Sequence, residues 1–149
     1  MNPIESMIPH RAPFLFVDRL LSADALQTIG ERTFPPTEWF FQGHFPGHPV
    51  VPGVLLVETL AQCGGAGLVQ AGLMKNEIFL LVSVTSAKFR RQVLPGELLR
   101  LEVDNVKVSK RLVKQCGRVL VGGELAVEAE WICVPARKEE VSSHAGQTV

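Results

Sequence analysis

The sequence has no net charge, because its 15 Lys and Arg are matched by 15 Asp and Glu. A balanced chain gives no long-range field to draw nucleic acid or an anionic membrane surface, so neither is expected as a partner. Cysteine is scarce. Cys63, Cys116 and Cys133 are odd in number and widely spaced, with no CxxC pair and no secretory leader ahead of them. A reduced, cytoplasmic protein is expected. There is no internal repeat, and no G-x-S-x-G elbow that would place a nucleophilic serine. The 149 residues, 46% of them hydrophobic and 20% charged, have the size and balance of one globular domain.

Charge is uneven in one place. From Lys88 to Arg118 the basic residues outnumber Glu97, Glu102 and Asp104, which suits either an acidic protein partner or a row of solvated strand edges. Val54 to Met74 is long enough to cross a bilayer and carries few polar groups. Glu58, Gln62 and Gln70 interrupt it, and Gly64, Gly65, Gly67 and Gly72 suit close packing, so it is read as a helix surrounded by protein, with no membrane insertion.

Around that helix the chain reads as strands. Phe14 to Ser22 and Leu26 to Phe34 favour extended structure, whereas residues 35–53 are rich in proline and glycine around an aromatic cluster and predict an ordered, buried loop. Beyond the helix come Phe79 to Val93, a Pro95-Gly96 turn, Leu98 to Ser109, Leu112 to Val121, a Gly122-Gly123 hairpin, and Leu125 to Val134. In the last segment Leu125, Val127, Ala129, Trp131 and Cys133 share one face, the period of two expected of a sheet covered on one side. The pattern predicts an α+β domain over residues 1–137, a long antiparallel sheet wrapped round one buried helix. From Pro135 onward a polar tail is expected, disordered over residues 138–149.

Residues 42–62, QGHFPGHPVVPGVLLVETLAQ, carry the chemistry. A histidine, His44, stands in a rigid loop ahead of a helix whose second turn holds one carboxylate, Glu58. Among Leu55, Leu56, Val57, Leu60 and Ala61, desolvation is expected to raise the pKa of Glu58 and favour a neutral acid. His44, which titrates near working pH, suits a base that takes a proton from carbon. The N-H groups of Gly53 and Val54 open the helix without an intrahelical acceptor, at the positive end of its dipole, where a thioester oxygen could dock. From the residues alone, a hydrogen-bonded loop role for His44 and a dipole-pairing role for Glu58 remain open. His44 and His48 have a spacing that suits zinc on a helix, but Pro46 and Gly47 between them break any helix, so no metal site is expected. Cys63, among small residues, reads as a structural thiol.

The stretch GHFPGHPVVPGVLLVETLAQ resembles the signature of FabZ-type 3-hydroxyacyl-[acyl-carrier-protein] dehydratases. IPHRAPFLFVDR, from Ile8 to Arg19, is similar to that family's opening block, and AKFRRQVLPGELLRLEV, from Ala87 to Val103, to its second strand block. The likeness runs from about residue 4 to residue 135. It implies a hot-dog fold, no cofactor, and a homodimer in which His44 of one subunit meets Glu58 of the other, with dimers grouping in threes. It implies that His44 removes the C2 proton, Glu58 assists loss of the C3 hydroxyl, and Gly53 holds the thioester oxygen of a (3R)-3-hydroxyacyl chain carried by acyl carrier protein in the fatty-acid cycle. An acyl tunnel would run past Phe45, Val54, Gln62 and Phe89, and Arg90 and Arg91 at its mouth would contact the carrier. Glutamate at position 58 favours the FabZ type over the isomerising FabA type, which has aspartate there. The sequence departs from the family at Ala12, where an aromatic residue is common, at Leu81 to Ser86, and in having no tyrosine at all. These departures bear on chain length and gating. A hot-dog thioesterase, a dehydratase of a polyketide or polyene pathway, and a non-catalytic carrier-binding module are the alternatives.

Overall fold

The computed structural model describes residues 3–75 and 77–145, the side chains of residues 142–145 excepted. After a 3-10 turn at Pro3–Ser6 come β1 (Arg19–Ala23), β2 (Gln27–Thr33), α1 (Gly53–Gln70), β3 (Glu77–Phe89), β4 (Leu98–Val108), β5 (Val113–Val121), β6 (Glu124–Arg137) and α2 (Lys138–Ala145). The strands form a single antiparallel sheet in the order β1-β2-β4-β5-β6-β3. The chain leaves α1 to make the far edge, so β3 pairs only with β6. α1 touches all six strands, which is the wrapped-sheet arrangement expected from periodicity.

α1 is buried nearly all round, from Leu56 to Leu68. It lies so near the sheet that two of its glycines have no room for a side chain. A Cβ on Gly67 would run into Thr28 of β2, and one on Gly64 into Gln115 of β5. The sheet face beneath is filled by Leu99, Leu101, Val103, Val119, Val127 and Trp131, all 0% exposed. Trp131 is satisfied there, since its Nε1–H donates to Gln115 Oε1 at 3.3 Å. The period of two in β6 slips once. Val119 pairs with Val127 but Leu120 with Leu125, so Ala126 is an extra residue and both Ala126 and Val127 are buried. The freed Ala126 carbonyl accepts from the N–H groups of Arg90 and Arg91 at 2.7 and 3.3 Å.

Three boundaries differ from the sequence expectation. Phe14 to Val17 is not strand; its backbone is held by a side chain of α1. The helix stops at Gln70, four residues short of Met74, because Gly72 turns into left-handed backbone at φ 76° and Leu73 and Met74 donate back to Leu68. The expected tail continues β6 to Arg137 and then winds into α2, whose Glu140 accepts from the Arg137 backbone and guanidinium; residues 146–149 lie outside the described residues. Four arginines of the basic stretch are paired within the fold. Arg90 pairs with Glu128, Arg91 with Glu97 and Glu124, Arg100 with Glu102, and Arg118 with Glu102 and Asp104.

Candidate active site

Proline and glycine keep residues 35–53 out of regular structure, and buried aromatic rings anchor them. Phe40 and Phe41 are 6% and 5% exposed, and Phe40 meets Phe34 edge-on at 5.7 Å. The stretch Phe45 to His48 closes a tight turn in which each end donates to the other, at 3.0 and 2.8 Å, around Gly47 at φ 72°. His48 therefore sits exposed in a turn. Among the described residues no group of His, Cys, Asp and Glu stands close enough to hold a metal ion.

His44 is locked on both sides of its Cα. Its N–H donates to the Phe40 carbonyl at 3.1 Å and its carbonyl accepts from Val50 at 2.9 Å. Its ring stacks on Phe45 with centroids 4.1 Å apart, and Nδ1 lies 3.0 Å from the Val50 carbonyl. A carbonyl can only accept, so Nδ1 carries a hydrogen, and in the neutral ring the lone pair is on Nε2. That is the tautomer a base requires, and a backbone oxygen fixes it.

His44 faces a cavity of about 530 Å³ lined also by Phe45, Gly53, Val54, Phe89, Arg90 and Arg91. α1 begins at Gly53, behind Pro52, with no side-chain cap. Leu55 and Leu56 donate to the Pro52 carbonyl, while among the described residues the N–H groups of Gly53 and Val54 find no acceptor. A Cβ at position 53 would stand 2.7 Å from the Phe89 ring, so any larger residue there would push that ring aside. Phe89 itself is 53% exposed and can shift.

Glu58 does not open on this cavity. It lines a separate, much smaller one with Ile8, His10, Ala61, Gln62, Phe79 and Cys133. Its surroundings are more polar than its sequence neighbours suggested. Helical geometry turns Leu56, Val57 and Leu60 into the core, while the Glu58 side chain is 22% exposed and its Oε1 accepts from Gln62 Nε2 at 3.0 Å and faces His10 Nε2 at 3.4 Å. Sequence reasoning missed His10; its only signal is its place in the opening block, 48 residues before Glu58. Gln62, expected along the tunnel, is 2% exposed and fully engaged. Its Oε1 accepts from Phe16 N–H at 2.8 Å and its Nε2 donates to the Phe14 carbonyl at 3.1 Å as well as to Glu58. It fastens the segment ahead of β1 to α1.

The two arginines expected to contact a carrier differ. Arg91 is committed to both oxygens of Glu97, at 3.0 and 2.7 Å, and to Glu124. Arg90 is half exposed and, among the described residues, its side chain holds only Glu128, at 2.6 Å.

A single antiparallel sheet wrapped on one buried helix defines a hot-dog domain. The chain belongs to the FabA-like family, whose domain model matches residues 8–130. It is 43% identical over 140 residues to the 3-hydroxyacyl-[acyl-carrier-protein] dehydratase FabZ of Moorella thermoacetica, covering 93% of this chain and 98% of that protein. It is 41% identical over 143 residues to the FabZ of Xanthomonas oryzae pv. oryzae, covering 93% of each. Among solved structures, a dehydratase heterocomplex from Xenorhabdus doucetiae superposes with a TM-score of 0.79 at 14% identity, over 97% of this chain and 98% of that one. A thioesterase superfamily member from Thermus thermophilus superposes with 0.66 at 19% identity, over 82% and 89%. Those two likenesses speak for the fold alone.

Proposed function

We propose that the protein is a hydro-lyase that converts (3R)-3-hydroxyacyl-acyl carrier protein to the trans-2-enoyl thioester in fatty-acid biosynthesis, with His44 of one subunit and Glu58 of its partner forming each site. The observation that carries this reading is the separation of the two residues. His44, with a free Nε2, shares an apolar cavity with the unpaired N–H groups of Gly53 and Val54, while Glu58 opens on a different cavity of the same chain. A second copy supplies the missing half. The edge of β3 offers the surface for it, since Leu80, Leu81, Val82 and Val84 are 43–58% exposed on a strand with one unpaired side.

The thioester oxygen docks on the N–H groups of Gly53 and Val54, which makes the C2 proton acidic by stabilising enolate-like charge. His44 Nε2 takes that proton and becomes imidazolium. Glu58 gives a proton to the C3 hydroxyl, which leaves as water, and the electron pair from C2 forms the double bond. No residue needs a cofactor for these steps. Phe45, Val54 and Phe89 line the acyl path, and Gln62 acts on it only through Glu58. Arg90 is the stronger carrier contact because Arg91 is already held by two carboxylates. Three free cysteines support a reducing, cytoplasmic setting.

The test follows the enoyl thioester band in the ultraviolet with 3-hydroxyacyl carrier, for wild type, His44→Ala and Glu58→Gln. Wild type changes the band and neither variant does. Co-expressing the two variants regains about one quarter of the activity, because half the dimers are mixed and each has one intact site. No regain would mean that the pair acts within one chain. Release of free thiol in place of the enoyl product would make the protein a thioesterase, and neither signal would leave a binding module.

A further inference from the structure

His10 is placed where no step above uses it. It sits in the loop ahead of β1, whose backbone Arg11 holds by donating to the carbonyls of Ile8, His10 and Glu5 at 3.0, 2.7 and 2.9 Å. Gln62 fixes the same loop at Phe14 and Phe16. His10 Nε2 faces Glu58 Oε1 at 3.4 Å, and His10 Nδ1 is buried with no hydrogen-bond partner. A buried N–H without an acceptor is rare and costly, more so than a buried lone pair. The ring hydrogen therefore belongs on Nε2, pointing at Glu58. The contact is a few tenths of an ångström longer than a formed hydrogen bond, and contacts of this kind tighten when substrate binds.

Glu58 Oε1 then has two N–H groups directed at it, from Gln62 and His10. Its Oε2 has no partner among the described residues. A protonated carboxyl cannot keep its hydrogen on an oxygen that already accepts from two donors. We propose that His10 is a positioning residue which, with Gln62, holds the Glu58 proton on Oε2, the oxygen left free for the C3 hydroxyl of the substrate. This rests on the dehydratase reading for its purpose and on the His10–Glu58–Gln62 geometry for its evidence. In the step itself the Oε2–H bond breaks, the proton joins the hydroxyl oxygen, the C3–O bond breaks to release water, and Glu58 is left as a carboxylate that both N–H groups stabilise. His10 gains and loses no proton.

His10→Phe keeps a ring and removes the donor; His10→Gln keeps an N–H that can reach Oε1. His10→Phe is expected to lower kcat by roughly 10-fold to 100-fold, as loss of supporting partners does at other sites, with KM and melting temperature unchanged, and His10→Gln to recover kcat to within a few-fold of wild type. An unchanged kcat in His10→Phe, an equal loss in both variants, or a loss accompanied by a lower melting temperature would each refute positioning. Nitrogen-15 NMR of the wild-type histidines gives a reading that needs no variant to fold. The His10 signal should report hydrogen on Nε2 at neutral pH, and hydrogen on Nδ1 overturns the proposal. If wild type forms no enoyl product while His10 carries its hydrogen on Nε2, the dehydratase reading fails and the side-chain arrangement stands.

Discussion

Replacing Gln62 by Met separates two roles for this residue. Met fills a similar volume, so no cavity term enters. The change removes the acceptor of Phe16 N–H, in a residue that is 0% exposed, and the donor to the Phe14 carbonyl. An orphaned buried donor costs about 1–3 kcal/mol and the lost bond to Phe14 about 1 kcal/mol, giving about 2–4 kcal/mol for the fastening of this segment. For a chain of this size that is a melting temperature lower by roughly 4–16 °C. Urea unfolding followed by far-ultraviolet circular dichroism measures it, with the midpoint falling and the slope against urea unchanged. A loss below about 1 kcal/mol would refute the fastening role. If acyl-chain preference moved while stability did not, Gln62 would be a tunnel wall after all.

Three further outcomes are expected. Arg32 is 9% exposed, donates to Asp18 at 2.9 Å and Glu38 at 2.6 Å, and lies 4.4 Å over the Phe34 ring; Arg32→Met should cost about 3 kcal/mol in urea unfolding, and adding Glu38→Gln should return a good part of it by removing the stranded charge. Burial pushes the Cys63 thiol up from 9.0 to about 12 and, with a smaller push from the Glu58 charge, the Cys133 thiol to about 11. The unfolded chain therefore gives up these protons first, so stability is full below pH 9, falls as pH rises toward 11–12 by about 1.4 kcal/mol per unit per thiol, and falls less steeply in Cys63→Ala. Val82→Lys on the open edge of β3 should shift the protein toward monomer in sedimentation and remove activity, while a monomer that remained active would refute a shared site.

The helix and the strands were legible because their periods are local properties. What was not legible depends on residues far apart in sequence. Phe14 to Val17 has the composition of a strand, yet a glutamine some 46 residues later takes its backbone bonds, so no neighbouring strand does. Ala126 looked like an outward residue until the bulge against β5 turned it inward. His44 could be singled out from its loop, but its tautomer depends on the Val50 carbonyl, and a backbone oxygen leaves no mark in residue identity. Glu58 was found by its oddness among apolar neighbours. The same neighbours misled about its surroundings, because a helix sends adjacent residues in different directions and the nearest polar group, His10, comes from another part of the chain. α2 was missed because a polar segment on its own gives no apolar face to read.

α1 starts behind a proline that offers no side-chain oxygen to its first turn, where a Ser, Thr or Asp would ordinarily be worth about 1 kcal/mol. The helix is thus left unfinished at the end that opens on the cavity. Any carbonyl that settles there completes the secondary structure as well as filling a site. Carbonyl binding at that end and the firmness of the central helix become one quantity, and a mutation at position 52 that capped the helix would set its own side-chain oxygen against the amides that the proposed thioester oxygen would use.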